Sequence, residues 1–129
     1  MKKTVSTPKA PKAIGPYSQA IEAAGFVYIS GQLPVDPETA EISGDAPAQA
    51  QRSLKNIDAI LREAGCGRGD VIKTTIFLKN MGDFEGVNRV YAEFFEGFPF
   101  PARSTVEVRR LPRDALVEIE AVAVRTEAG

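Results

Sequence analysis

Pro101-Ala102-Arg103-Ser104-Thr105-Val106-Glu107-Val108 and, one connection later, Val117-Glu118-Ile119-Glu120 read as two strands of a half-buried sheet. Their side chains sort into two faces at a period of two. On 103–109, Ser104, Val106 and Val108 point one way, and Arg103, Thr105, Glu107 and Arg109 the other. On 116–124, Val117, Ile119, Ala121 and Ala123 form a small apolar face, while Leu116, Glu118, Glu120, Val122 and Val124 form a mixed one. Leu111-Pro112-Arg113-Asp114 lies between the two, and the pair is expected to close as a hairpin. The same stretch carries the best candidates for chemistry. Arginine offers a planar fork of donors suited to a small carboxylate. A glutamate among apolar neighbours can be tuned to pass protons near neutral pH.

Working back toward the N-terminus, Phe84, Val87, Tyr91 and Phe94 draw a helical stripe that Asp83 can cap and that Gly97 and Pro99 end. The β-branched run 71–78 is a strand entered through Gly69-Asp70. Ala50, Leu54, Ile57, Leu61 and Ala64 recur at threes and fours. They form a second stripe, with Asp45 as N-cap, Pro47 in the first turn and Gly65 as the stop. The segment 26–30 reads as a strand between Gly25 and Gly31, paired with 18–23 through Ala24-Gly25. Residues 2–5 fit a short edge strand, and the proline-rich 7–16 an extended loop. The expected architecture is α+β: a sheet with two helices, which can cover only one of its faces. A mixed face left bare is what a partner subunit covers, so an oligomer is expected, with the charged face at or near its interface.

Composition removes many alternatives. The 129 residues suit one domain, spanning 1–129, and 16 basic against 17 acidic residues give no electrostatic reason for nucleic acid or an anionic membrane. No apolar run approaches a membrane span and no signal-peptide core follows Met1-Lys2-Lys3, so the cytoplasm is the expected compartment. There is no histidine and a single cysteine, Cys66, which leaves no triad, no Cys-His pair, no usual zinc site and no internal disulfide. Nucleotide-loop glycine motifs are also missing. The available tools are carboxylates, arginines, hydroxyls and backbone groups.

Several motifs together resemble the RidA (YjgF) family of reactive-intermediate deaminases along essentially the whole chain. They are Ala13-Ile14-Gly15-Pro16-Tyr17-Ser18-Gln19-Ala20, Tyr28-Ile29-Ser30-Gly31-Gln32, the segment 51–56, Lys73-Thr74-Thr75-Ile76-Phe77-Leu78 with Val87-Asn88, Pro101-Ala102-Arg103-Ser104 with Leu111-Pro112, and Val117-Glu118-Ile119-Glu120-Ala121. The resemblance implies a chorismate-mutase-like fold assembled as a homotrimer, with a central barrel of sheets, helices outside and three clefts between subunits. It implies hydrolysis of 2-imino acids and their enamine tautomers, such as 2-aminoacrylate, 2-iminopropanoate and 2-iminobutanoate, to 2-keto acids and ammonia. No cofactor and no metal is implied. Chorismate mutase activity does not follow, because fold does not carry function.

The resemblance also assigns roles. Arg103 would hold the substrate carboxylate; by spacing alone the better fit is a surface arginine paired with Glu107 or Glu118, and it is the motif around it that favours binding. Glu118 would activate water or pass a proton to the leaving amine. Residue reasoning does not separate it from Glu120 on the same strand face, and the motif selects Glu118, leaving Glu120 structural. Tyr17, aimed by Gly15-Pro16, would lie over the site or else anchor its loop. Ser30 and the Gly31 amide would contact substrate or water, or simply end a strand. Asn88, disfavoured inside a helix, needs a specific partner at the cleft rim or in a neighbouring subunit. Thr105 stands where well-known relatives carry cysteine. It keeps a small side chain and the backbone amide but offers no thiol. A non-catalytic keto-acid-binding regulator on the same scaffold is the competing reading. A ribonuclease or translation inhibitor is another, against which stands the lack of a basic surplus and of aromatics around Arg109, Arg110 and Arg113.

Overall fold

The small apolar face of 117–124 leads to the middle of the sheet. The computed structural model describes residues 1–125. In chain order these form β1 (Lys3–Val5), β2 (Ala20–Ala23), β3 (Phe26–Gln32), α1 (Ala46–Glu63), β4 (Val71–Leu78), α2 (Phe84–Phe94), β5 (Ala102–Glu107) and β6 (Val117–Val124). The six strands make one mixed sheet in the order β1-β2-β3-β6-β4-β5. Only β4 and β5 run parallel.

This order corrects the expected closing hairpin, because β5 and β6 do not pair. The chain leaves β4, crosses through α2 and returns as β5 parallel to β4 at the sheet edge. It then steps over β4, and β6 inserts antiparallel between β3 and β4. Burial explains the exchange. Val117, Ile119, Ala121 and Ala123 are each at most 2% exposed and need a central position, whereas no residue of β5 is buried and it tolerates an edge.

Both helices lie on the face carrying those residues. Ala50, Leu54, Ile57 and Leu61 of α1 are buried against the sheet, together with Val87, Tyr91 and Phe94 of α2. Asp45 caps α1 as expected, its carboxylate accepting the Ala48 amide at 3.0 Å, and Gly65 leaves the helix at φ +78°. Asp83 precedes α2 but makes no side-chain cap. A 3₁₀ turn, Met81–Asp83, gives it φ −89° and ψ 0°, away from the extended geometry a capping side chain needs. The β2–β3 hairpin turns at Ala24 and Gly25 with φ +52° and +83°, the double positive φ of a tight two-residue connection.

Among the described residues, the second face carries no helix. Tyr28 and Val106 on it stay 50% and 43% exposed. The strand read as ending before Gly31 continues to Gln32 through a β-bulge. Ile29 opposes Ala121 while Gln32 opposes Ile119, so Ser30 and Gly31 together face the single residue Glu120. Ile29 and Gln32 are both buried although three positions apart. The extra residue therefore breaks the alternation and turns Ser30 and Gly31 away from the core.

Candidate functional site

The bulge opens onto a cleft of 790 Å³ whose walls include Tyr17, Ser30, Gly31, Glu118 and Glu120. Four of the sequence-predicted residues thus meet in one place. Tyr17 arrives on a tight turn in which its amide donates to the Gly15 carbonyl at 2.8 Å, and it remains half exposed. The loop before it is tied down by Gln19, which is 5% exposed. Gln19 Oε1 accepts the Thr7 amide at 2.7 Å, and Nε2 donates to the carbonyls of Thr7 at 3.0 Å and Pro11 at 2.8 Å. Ser30 Oγ donates to the Ser18 carbonyl at 2.6 Å, which commits its hydrogen and leaves its lone pairs to accept from a ligand or water.

Glu118 is half-buried, and burial pushes its carboxyl above the ordinary glutamate value, with the charge of Glu120 adding in the same direction. A carboxyl whose pKa is raised in this way is a stronger proton acceptor than an ordinary glutamate, which suits it to take a proton from water and return it to a leaving group. Glu120, read from the sequence as structural, lines the same cleft.

Arg103 and Asn88 lie elsewhere. They line a smaller recess of 380 Å³ with Tyr91, Ala92, Phe100 and Pro101. Arg103 Nη1 donates to Asn88 Oδ1, so the helix-interior asparagine has its specific partner. The guanidinium carbon stands 5.0 Å from the Tyr91 ring centroid and 5.5 Å from that of Phe84. Tyr91 is itself fixed by a 2.6 Å hydrogen bond between its hydroxyl and Thr74 Oγ1. The arginine is therefore held by α2 and pairs with neither Glu107 nor Glu118; among the described residues it forms no salt bridge. Its remaining donors suit a small anion. Thr105 follows two residues on along the same face, with Oγ1 buried and, among the described residues, without a hydrogen-bond partner; it lines neither cavity.

Phe84 and Tyr91 read from the sequence only as core stripe. The signal for a second role was present: Phe84, Asn88 and Tyr91 are spaced four and three apart and share one helix face. Among the described residues, no three His, Cys, Asp or Glu side chains could hold a metal, and no helix is long and apolar enough to cross a membrane.

Residues 7–125 match the family model described as Endoribonuclease L-PSP. A RutC family protein of Pyrococcus horikoshii is 55% identical over 126 residues, covering 97% of this chain and 99% of the relative. The 2-iminobutanoate/2-iminopropanoate deaminase of Salmonella typhimurium is 51% identical over 127 residues, covering 97% and 99%. Among solved structures, Escherichia coli TdcF with bound serine superposes with a TM-score of 0.94 at 47% identity, covering 96% of this chain and 99% of that one.

Proposed function

Because the chain belongs to the Endoribonuclease L-PSP family, that of the RidA (YjgF) proteins, we propose that it hydrolyses reactive 2-imino acids and their enamine tautomers to 2-keto acids and ammonia. The observation that carries this reading is the chemical complementarity of the two clusters. One presents an aromatic-flanked arginine for a carboxylate, and the other a proton-tuned glutamate beside acceptors for water. The relative of Salmonella typhimurium with this activity in its name supports the substrate class.

In the reaction, Arg103 holds the substrate carboxylate and Asn88 fixes the guanidinium. Glu118 takes a proton from water as the oxygen bonds to the imine carbon. The imine enters protonated, so this addition gives a neutral carbinolamine, whose nitrogen then receives that proton from Glu118. The freed carboxylate takes the hydroxyl proton as the C–N bond breaks, leaving the keto acid, ammonia and a proton that Glu118 passes to ammonia or solvent. Ser30 Oγ accepts from water or the imine N–H, the Gly31 amide contacts substrate or water, and the Tyr17 hydroxyl closes the site. Thr105 lines neither cavity of the single chain and offers no thiol, so no step runs through sulfur at that position. Nothing in the sequence asks for a cofactor.

One chain holds the two clusters apart, so the working site is a cleft between copies, Arg103 of one subunit completing the Glu118 cleft of the next. A homotrimer with the bare sheet faces turned inward accommodates this and covers the exposed Tyr28 and Val106. The endoribonuclease reading is not adopted: Arg110 is paired with Asp114 and Arg113 donates to the Ala40 carbonyl, which ties up most of the basic run.

The test is a coupled assay with a serine/threonine dehydratase and limiting semicarbazide, which traps the imine. The protein should lower semicarbazone and raise free keto acid, and Arg103→Ala should not. Wild type that binds keto acid but leaves semicarbazone unchanged would establish the non-catalytic alternative.

A further inference from the structure

Gly31 does more than admit a ligand to the backbone. A β-carbon built on it would fall 2.8 Å from Glu118 Cδ and 3.2 Å from Cγ, and closer still to Oε2. All three nearest atoms belong to that one side chain. Gly31 does not adopt a positive φ, so no left-handed backbone conformation calls for glycine here. A second, independent feature is the bulge. By setting Ser30 and Gly31 together against Glu120, it turns Gly31 onto the face from which Glu118 projects.

We propose that Gly31 is a positioning residue, whose missing side chain forms the seat in which the Glu118 carboxylate lies against β3. The bulge aims the seat, and the glycine leaves it empty of carbon. With the seat filled, the carboxylate would swing into the open cleft and lose both its burial and its aim. The charged groups that share the cleft with Glu118 are Glu120 on its own strand and Lys12, Asp36 and Arg113 from the cleft loops, and of these Glu120 is the one whose charge raises its carboxyl pKa. Since burial is the largest cause of its raised carboxyl pKa, release from the seat returns it toward the ordinary value.

The part of this that concerns rate rests on the deaminase reading; the part that concerns the seat does not. The experiment compares wild type, Gly31→Ala, Glu118→Ala and the double variant. It follows thermal stability, the carboxyl titration of Glu118 by carbon NMR, turnover and keto-acid affinity. In Gly31→Ala the titration should move down, turnover should fall about tenfold or more, and keto-acid affinity should stay within about threefold because Arg103 is untouched. In the Glu118→Ala background, Gly31→Ala should change stability little. An unaltered titration and turnover in Gly31→Ala would overturn the proposal. Should Gly31→Ala fail to fold, recovery of folding in the double variant supports the seat, and continued failure overturns it by assigning the glycine to the backbone. If wild type proves inactive, the deaminase reading falls, while titration and stability still decide the seat.

Discussion

Arg103 and Glu118 stand on opposite faces of one sheet. Arg103 shares its register row with Thr74 and Ala121, both buried beneath the helices, whereas Glu118 shares its row with Phe77 and Val106 on the bare side. Partners in a row project to the same side. A substrate of a few heavy atoms cannot reach both residues of one chain through the sheet, and the bare side is where a second copy would have to sit.

This separation predicts complementation. Chains carrying Arg103→Ala and chains carrying Glu118→Gln should each be inactive alone. Mixed oligomers should regain activity, because a cleft that draws its glutamate from one chain type and its arginine from the other is intact. For random assembly at equal dose about a quarter of the sites are restored. Unfolding and refolding the two variants together, then assaying the mixture, checks it. A mixture as inactive as its components would place both residues in one chain's site.

The fork of Arg103 makes a finer prediction. Two charge-assisted hydrogen bonds of roughly 1.5–3 kcal/mol each are at stake, so Arg103→Ala should lower kcat/KM on the order of a hundredfold or more. Arg103→Lys keeps the charge but loses the planar fork and its fit between the Tyr91 and Phe84 rings, and should fall between the two. Steady-state kinetics on folded, correctly assembled variants reads the order directly. A lysine variant equal to wild type would mean that charge alone matters.

Glu118 should leave its mark on stability as well as on rate. Its folded pKa is raised, chiefly by burial and then by Glu120, so the folded state holds that proton more tightly than the unfolded chain does. Between the two pKa values the folded state binds more protons, and stability drops as pH rises through that window. Above it the full cost of a buried charge remains. Glu118→Gln removes this cost, so its advantage in Tm over wild type should be least near pH 4, grow with pH and then level off. A pH series of melting curves at fixed ionic strength would show it. An advantage that shrinks with rising pH would contradict the assigned direction.

The sequence displayed what periodicity and punctuation encode. The stripes of α1 and α2, the Asp45 cap, the turn at Ala24-Gly25 and the bare mixed sheet face all follow from local spacing. Pairing order did not, because β5 and β6 adjoin in sequence and both alternate. The choice between a hairpin and an insertion beside β4 is made by burial across the whole sheet, where the small apolar face of β6 claims the centre. The bulge at Ser30-Gly31 was hidden for a similar reason: a glycine after a strand reads equally as an end or a kink, and only the opposing register decides. At the site, the Arg103–Asn88 partnership emerged from an asparagine out of place in a helix. The aromatic walls from Phe84 and Tyr91 were concealed by lying on the core stripe.

Gln19 supplies the last prediction. Its amide is buried and bonds the Thr7 amide and the carbonyls of Thr7 and Pro11, closing a proline-rich loop that makes no strand of its own before Ala20. Gln19→Ala strands those backbone groups. At about 1–3 kcal/mol for each one left unsatisfied, and with some recovered by water, the loss should be on the order of 3 kcal/mol. Because the loop leads directly into Gly15-Pro16-Tyr17, its loosening should reach the cleft. Turnover should fall along with stability, while the recess around Arg103, built on α2 and β5, keeps its affinity for carboxylate. Hydrogen exchange at the Thr7 amide, urea denaturation and keto-acid binding measured on the same variant separate these effects. Unchanged exchange at Thr7 would show that the loop is held by its prolines rather than by the glutamine.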